Sequence, residues 1–530
     1  MENAIYVLRC ACNGKYAVTM IASHRTKRPA LRAAFLLFTA FLPALSQSGE
    51  LNEQSRRGKE LMSQGRFDEA AIVYREMVKA LPGNPGLLLN LALAEELGGH
   101  FDEAIPQFEA VLKSQPDNVP ALTSLAMSHL QLNQPAAALA PLQKLIALEP
   151  KDLNARGMLA GAEMSLGHFG NAARQYRQLT TLAPSDAKAW YGLGKAYEAL
   201  SASSFERLSK LDPQSGYVAL LLAEARTQRR QYRSAFFFYR EAEKKLPHLP
   251  GLHSGLARVY RGTGHPDWAG AEEQREPRLP SAACKGPADS ACQFVRGDFL
   301  SAAKGASATA PNAAALFWAT RSFNALALES FERLGHLSES VELHALKAQI
   351  LRDHGQNLEA SKEWSAALAL APDRNDPRLR TELVTSLFLA RDYQSAIPML
   401  KDLLSTGPAS PDLNFMLGES LWRTQQADQA LPYLEQALQK SPGMLPAHAA
   451  LGLALASLNK SADAIPHLEK AASLDDDGSL HYSLARAYQA AGNTAKAKAN
   501  MEEYSKIQRH NAEVNGAVAN ESEITAPDPK

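Results

Sequence analysis

An alanine followed four residues later by a large apolar side chain, and eight residues after that by proline, recurs along this chain at a fixed interval. Ala70, Ala104, Ala138 and Ala172 are evenly spaced, with Tyr74, Phe108, Leu142 and Tyr176 one helical turn on and Pro82, Pro116, Pro150 and Pro184 closing each unit. The grouping returns as Ala360 with Trp364 and Pro372, Ala396 with Leu400 and Pro408, and Ala430 with Leu434 and Pro442. Pro213 and Pro247 keep the same interval, and Asp476 takes the slot one interval after Pro442. Each unit predicts two helices. A small residue lets them approach closely, and the large residue one turn later fills the groove beside it. Proline ends the second helix. Gly65, Gly99, Gly167 and Gly355 stand where the first helix must turn into the second.

Two stretches depart from the period. Between Tyr197 and Pro213 the unit is cut short and its glycine turn is gone, which leaves Glu198 to Leu211 free to continue as one long helix. The same irregularity recurs further on: Ala199-Leu200 with Ser204-Phe205-Glu206-Arg207-Leu208 matches Ala325-Leu326 with Ser330-Phe331-Glu332-Arg333-Leu334. The chain thus carries a larger duplication, read either as duplication followed by drift or as a bend or special surface at both places. The second departure is residues 265–310, rich in Pro, Gly, Ala and Ser, where the register is lost. Asp267-Trp268-Ala269 predicts a surviving second helix there, and Cys292 to Ala303 a short helical pair turning at Gly297.

The period and pattern resemble the tetratricopeptide repeat, whose signature is W-x2-L-G-x2-Y, then A-x3-F, then P, at a period of roughly 34 residues. Trp190, Leu193, Gly194 and Tyr197 match the first part in full. Weaker copies are Leu256-Ala257 with Tyr260, Leu417-Gly418 with Leu421, and Leu484-Ala485 with Tyr488. The resemblance spans about residues 51–264 and 311–512. It implies an all-α fold of helix-turn-helix repeats forming a right-handed superhelical solenoid, here two arrays joined by an irregular insertion. It also implies a concave groove, lined by first helices, that holds an extended peptide or a partner's helix. Lys188, Tyr191 and Lys195, then Phe415 and Glu419, are the side chains expected to face it. Family members that grip a C-terminal carboxylate repeat Lys, Arg and Asn in the groove. Thr123, Met127, Leu220, Ala449 and Leu453 fall at comparable positions here and are uncharged, which favours apolar or backbone recognition. The truncated helix and the cysteine-bearing insertion are similar to those of exported bacterial tetratricopeptide proteins from soil bacteria.

Composition agrees with helix, since alanine and leucine dominate. The 56 basic and 56 acidic residues cancel, which argues against nucleic acid as a partner, because phosphate binding needs a basic stripe. At the amino terminus, Arg25, Lys27, Arg28 and Arg32 precede a short apolar run, Ala33 to Leu45, and the small-x-small pattern Ala44-Leu45-Ser46. That is the layout of a cleaved secretory signal over residues 1–46, with Met20 as the expected true start. The run is short of the ~20 residues a spanning helix needs, so no stable membrane span is expected after cleavage. An uncleaved anchor is the alternative. A periplasmic or secreted location follows, and with it an oxidising compartment in which Cys284 and Cys292 are expected to form a short disulfide.

Catalytic patterns are weak. Gly192-Leu193-Gly194-Lys195 lacks the glycine spacing and the hydroxyl of a phosphate loop. Gly251-Leu252-His253-Ser254-Gly255 has its serine one place off a nucleophile elbow. His344, His448 and His481 fall near first-helix positions and read as packing or groove residues. Of the run Phe236-Phe237-Phe238-Tyr239, at least one ring is expected to face outward, because consecutive residues point all round a helix. The sequence therefore reads as a signal segment (1–46), an N-terminal array (51–264), an insertion (265–310), a C-terminal array (311–512) and a disordered tail (513–530). The expected function is a non-catalytic scaffold, without cofactor or metal, that binds a peptide or partner protein. The alternatives are an accessory subunit of an envelope assembly, secretion or polysaccharide-export machine, and an enzyme with a site in the insertion.

Overall fold

The computed structural model describes residues 42–276, 290–307, 311–407, 410–521 and 523–527, and every regular element among them is a helix. Helices α1 (Leu42–Ser63), α2 (Phe67–Ala80), α3 (Pro85–Leu97), α4 (Phe101–Ser114), α5 (Val119–Gln131), α6 (Pro135–Leu148), α7 (Leu153–Ser165) and α8 (Phe169–Leu182) alternate as first and second members of successive repeats. A long helix α9 (Ala187–Leu211) follows, then α10 (Gly216–Gln228), α11 (Tyr232–Lys245), α12 (Leu252–Gly262), α13 (Pro266–Arg275) and the short α14 (Ser290–Val295) and α15 (Phe299–Ala302). A second long helix, α16 (Ala313–Gly335), leads into α17 (Val341–Asp353), α18 (Asn357–Leu370), α19 (Pro377–Leu389), α20 (Tyr393–Thr406), α21 (Pro411–Arg423), α22 (Ala427–Lys440), α23 (Leu445–Ser457), α24 (Ser461–Ala471), α25 (Ser479–Ala490) and α26 (Thr494–Glu521). Among the described residues no helix is long and apolar enough to cross a membrane.

The periodic residues do what their chemistry dictates. Ala70, Ala104, Ala138, Ala172, Ala360, Ala396 and Ala430 are fully buried between helices. Gly65, Gly99, Gly167 and Gly355 adopt φ of +73°, +85°, +74° and +74° at the turn between paired helices. Asn133, Arg391, Gln425 and Asn459 serve at equivalent turns with φ between +56° and +63°, a conformation that costs an L-residue roughly 1–2 kcal/mol. Two residues after each of the first four closing prolines stands an N-cap: Asn84, Asn118, Asp152 and Asp186 accept backbone N–H bonds from the first turn of α3, α5, α7 and α9. The proline carbonyl is itself bonded in three repeats. Arg156, Trp190 and His448 reach Pro150, Pro184 and Pro442 oxygens at 2.7, 2.8 and 3.1 Å.

The two long helices depart from the simple stack. At the position of the missing turn α9 carries Ser201, with no glycine or proline before Leu211, so the helix runs on for 25 residues, about 37 Å. A second half that continues straight cannot fold back on its own first half. It pairs instead with α16, its counterpart in the duplication, in the most extensive helix–helix contact of the described residues. The two run antiparallel and exchange halves. Gly58, Gly418 and Gly452 each press on the large residue 16 positions later, Tyr74, Leu434 and Leu468. For Gly194 that place in sequence holds Lys210, yet the ring seated against Gly194 is Phe331 of α16. Ala327 and Leu334 fill the adjoining buried positions. Reciprocally, the second half of α9 serves the first half of α16: Ser201 Oγ donates to Thr320 O at 3.2 Å, and Phe205 packs into the core that holds Phe317. Tyr197 and Phe323, equivalent residues of the duplication, meet with ring centroids 6.2 Å apart, where a local two-fold axis would pass.

The two arrays expected from the sequence meet at this pair. The main stack runs α1–α8, then the first half of α9 with the second half of α16, then α17–α26; α9 contacts α8 on one side and α17 on the other. The described helices between α9 and α16 (α10 to α15) form a side branch at this junction, because the exchanged halves bring the ends of two distant segments together. Within the branch α13 pairs with α12, and the turn between α14 and α15 is at Gly297, φ +77°. Cys292 is 2% exposed and disulfide-bonded, while Cys284 lies outside the described residues, as do residues 1–41 of the expected signal. The expected cleavage point after Ser46 falls inside α1.

Two expectations are corrected. No member of the run Phe236 to Tyr239 is exposed: Phe236 and Tyr239 are buried, and Phe237 and Phe238 are half-buried in edge-to-face contact at 5.2 Å. The tail from residue 513 is helical to Glu521. Asn511 is anchored upstream by its amide on Asp476 O at 3.0 Å, and α26 touches α11, so the order there is tertiary rather than local.

The exchanged pair makes a testable prediction. Gly194→Val, which forces a side chain into Phe331, should speed amide exchange in both α9 and α16, two helices far apart in sequence. Gly452→Val, an equal insult against Leu468, should loosen only the neighbourhood of α23 and α24. Each should cost about 1–3 kcal/mol by overpacking. Exchange confined to α9 in the first variant would refute the pairing.

Candidate groove of the first helices

Successive first helices pack side by side, so α3 contacts α5 and α5 contacts α7. Residues three and four apart on each form one shared face. The repeat register aligns it into rungs: Leu89, Leu93 and Glu96 on α3; Thr123, Met127 and Leu130 on α5; Gly157, Gly161 and Met164 on α7; and Tyr191, Lys195 and Glu198 on α9. The expected groove residues Tyr191 and Lys195 thus continue a face whose first three rungs are largely apolar. Leu97 and Met127 are 54% and 40% exposed along it. At Gly157 and Gly161 a Cβ would meet nothing within 4 Å, so the trough is open there.

Within this apolar trough sits one acid. Glu96 is 8% exposed, and its Oε1 has no hydrogen-bond partner. Burial pushes its carboxyl up to about 7, against a weaker pull from the Ser124 hydroxyl on α5. The carboxyl is therefore close to half-protonated at neutral pH.

At α9 the chemistry changes. Lys195 Nζ donates to Glu198 at 2.6 Å and to Asp353 at 3.0 Å, and His354 bonds the other Glu198 oxygen at 2.8 Å. Burial alone would lower the Lys195 ammonium, but Glu198 and Asp353 outweigh it and raise it to about 12. Burial would likewise raise Glu198, yet His354 and Lys195 hold it below the usual carboxylate range. Lys188 is paired with Glu342 at 2.7 Å. Tyr191 packs into the apolar contacts of Leu343 and Leu346, and burial raises its phenol. These three residues therefore stitch α9 to α17, a partner that adjoins only because of the helix exchange.

Phe415 and Glu419 form a separate group. Phe415 meets Phe388 of α19 edge-on at 5.9 Å, and Glu419 pairs with Arg423 at 3.2 Å. Burial raises the Glu419 carboxyl despite Arg423 and Arg391. Trp422 carries the Arg423 guanidinium on its ring at 4.4 Å. His344 and His481 are held by carboxylates, Glu363 and Asp475, at 2.6 Å each, and His448 faces His467 at 2.8 Å. Among the described residues no group of three or more His, Cys, Asp or Glu could hold a metal ion. Glu96 and the two glycines went unnoticed in the sequence. The signal that finds them is the repeat register applied to the face between first helices, rather than to the helix–helix seam.

The tetratricopeptide-repeat family pattern matches residues 61–126, 97–162, 158–202, 381–444 and 445–477. This chain is a tetratricopeptide-repeat protein. Such an array is a protein-interaction scaffold. Among solved structures, one of MamA residues 41 to the end from Desulfovibrio magneticus RS-1 is 22% identical, covering 33% of this chain and 97% of that one at a TM-score of 0.29. A MamA RS-1 double mutant is 21% identical over 28% of this chain and 82% of its own, at 0.27. YrrB, described as a tetratricopeptide protein with an unusual peptide-binding site, is 22% identical over 34% and 92%, at 0.28. Likeness at that level says nothing of what this protein binds. Curated protein sequences give no match.

Glu96 gives a pH prediction. Its folded value, about 7, lies above the ordinary unfolded one, 4.5. Its contribution to stability is complete below the unfolded value and is lost as pH rises through about 7. Glu96→Gln should therefore flatten the stability profile between pH 5 and 8 and stabilise the first repeats at pH 8 by on the order of 1–3 kcal/mol. Denaturant titrations at both pH values check this; an unchanged slope in the variant would contradict it.

Proposed function

We propose that this protein is a non-catalytic scaffold that holds an extended peptide or a partner's helix in the apolar trough of α3, α5 and α7, and that it works after export across a membrane. The observation that carries the binding reading is the open floor at Gly157 and Gly161 on α7, beside α5 with its exposed Met127. Glycine at two consecutive rungs of a helix face weakens the helix by roughly 0.5–1 kcal/mol each relative to alanine, so the space they leave is kept at a cost. An aliphatic ligand side chain would gain about 25 cal/mol for each Å² it removes from water there.

The rungs beyond α9 do not offer the same trough. Lys195 is engaged by Glu198 and Asp353, and breaking those pairs to admit a ligand would strand partly buried charge; the exposed Lys188 is held by Glu342. Apolar recognition at the N-terminal rungs fits the lack of a repeated cationic clamp. Export is supported by the charged, apolar and small-residue order of residues 25–46.

Filling the trough tests the reading. Gly161→Phe should abolish capture of partners by the tagged, crosslinked protein from its own cells, while its melting midpoint stays level or rises, because phenylalanine is the better helix former. Capture equal to that of the unsubstituted protein would place the binding surface elsewhere. Fractionation with N-terminal sequencing tests export: a mature chain beginning at Gln47 outside the cytoplasm is the expected result, and an intact amino terminus inside the cell would contradict it.

A further inference from the structure

We propose that the face of α11–α13 around Tyr260 is a docking surface for an extended peptide, and that its occupant is this chain's own C-terminal segment, residues 523–527. The surface is built around one ring. Tyr260 on α12 is 1% exposed, set between Phe236 of α11 at 5.8 Å and Trp268 of α13 at 5.6 Å. Trp268 is in turn stacked on His265 at 4.0 Å. A ring so confined fixes the direction of its hydroxyl, and the hydroxyl donates to the Thr525 carbonyl at 2.8 Å. The neighbouring Ile524 inserts its side chain among the apolar residues of the same core. An aliphatic anchor beside a bonded backbone carbonyl is a pattern an extended peptide presents and a helix does not, and residues 523–527 have no helical structure.

The segment is delivered by α26, the last helix of the main stack, which also touches α11. The contact therefore joins residues 265 apart and closes a path from the branch through α16 and α17–α26 back to the branch. A short segment with one half-buried aliphatic side chain makes a small interface. Tethering compensates, since a segment held near its site acts at an effective concentration in the millimolar range. A contact of this kind opens readily, and when it opens it leaves an apolar pocket with an oriented hydroxyl. The inference does not depend on the trough of α3, α5 and α7: the two surfaces lie on different helices.

The test uses the full chain, the full chain carrying Ile524→Asp, and a chain ending at Glu521. Amide exchange in α12 and α13 should rise in both altered proteins, and small-angle scattering should show a larger maximum dimension. A fluorescent peptide of residues 521–530 should bind the shortened chain at least tenfold more tightly than the intact one. Tyr260→Phe, which keeps the ring and its packing, should weaken that binding several-fold without lowering the melting midpoint. Exchange in α12 and α13 unchanged by Ile524→Asp, or peptide binding no weaker to the intact chain than to the shortened one, would overturn the proposal.

Discussion

The contact on which the rest of the structure depends is the antiparallel pairing of α9 with α16. Every other helix pair among the described repeats closes on itself through a left-handed turn and stacks on its neighbours in sequence. These two helices cannot close alone. Each presents a first-helix half whose groove calls for a second helix, and a second-helix half that calls for a first. Only the other long helix satisfies both. The ring of Phe331 against Gly194, and the Ser201 bond to Thr320 O, are the two ends of that reciprocity. Its consequence is a main stack that passes from α9 to α17 in space, past α10 to α15.

That topology decides what the shared face of the first helices can do. Where sequence neighbours are also spatial neighbours, in α3, α5 and α7, the face is apolar and partly open. Where α9 is followed in space by α17, the face is closed by ion pairs between positions distant in sequence, Lys188 with Glu342, Lys195 with Asp353 and Glu198 with His354. The Lys195 and Glu198 pairs are partly buried, so removing one partner is costly, whereas the exposed Lys188–Glu342 pair adds little. They suit a junction that must keep its register more than a surface that must receive a ligand. The branch is tied down separately. Arg321 of α16 spans Glu224 at 3.0 Å and Pro250 O at 2.8 Å and lies over Phe294, Phe317 and Trp318. His253 and Arg275 both engage the fully buried Glu272.

Much of the fold was legible from local chemistry. The repeat interval, the buried alanines, the positive-φ glycines and the continuation of α9 past Glu198 all follow from residue type and spacing. The duplication of the long helix was visible too, but its meaning was not. Ser-Phe-Glu-Arg-Leu in two places says that two segments are alike, whereas their exchange depends on which helix lies beside which, a property no local pattern encodes. The same limit explains the candidate groove. Register alone aligns Lys188, Tyr191 and Lys195 with the first-helix face, while Glu342 and Asp353 could not be recognised as partners because they lie far on in sequence. The helical end of α26 was missed because its order comes from the last repeat and from α11.

The measurement that tests this account most directly is a crosslink across the local two-fold. Tyr197→Cys and Phe323→Cys replace two rings whose centroids lie 6.2 Å apart. In the full chain treated with a short bismaleimide, peptide mapping should find positions 197 and 323 joined within a single molecule. If these positions stay unlinked while each long helix protects only its sequence neighbours from exchange, the exchanged pair is wrong, and with it the continuous stack and the side branch.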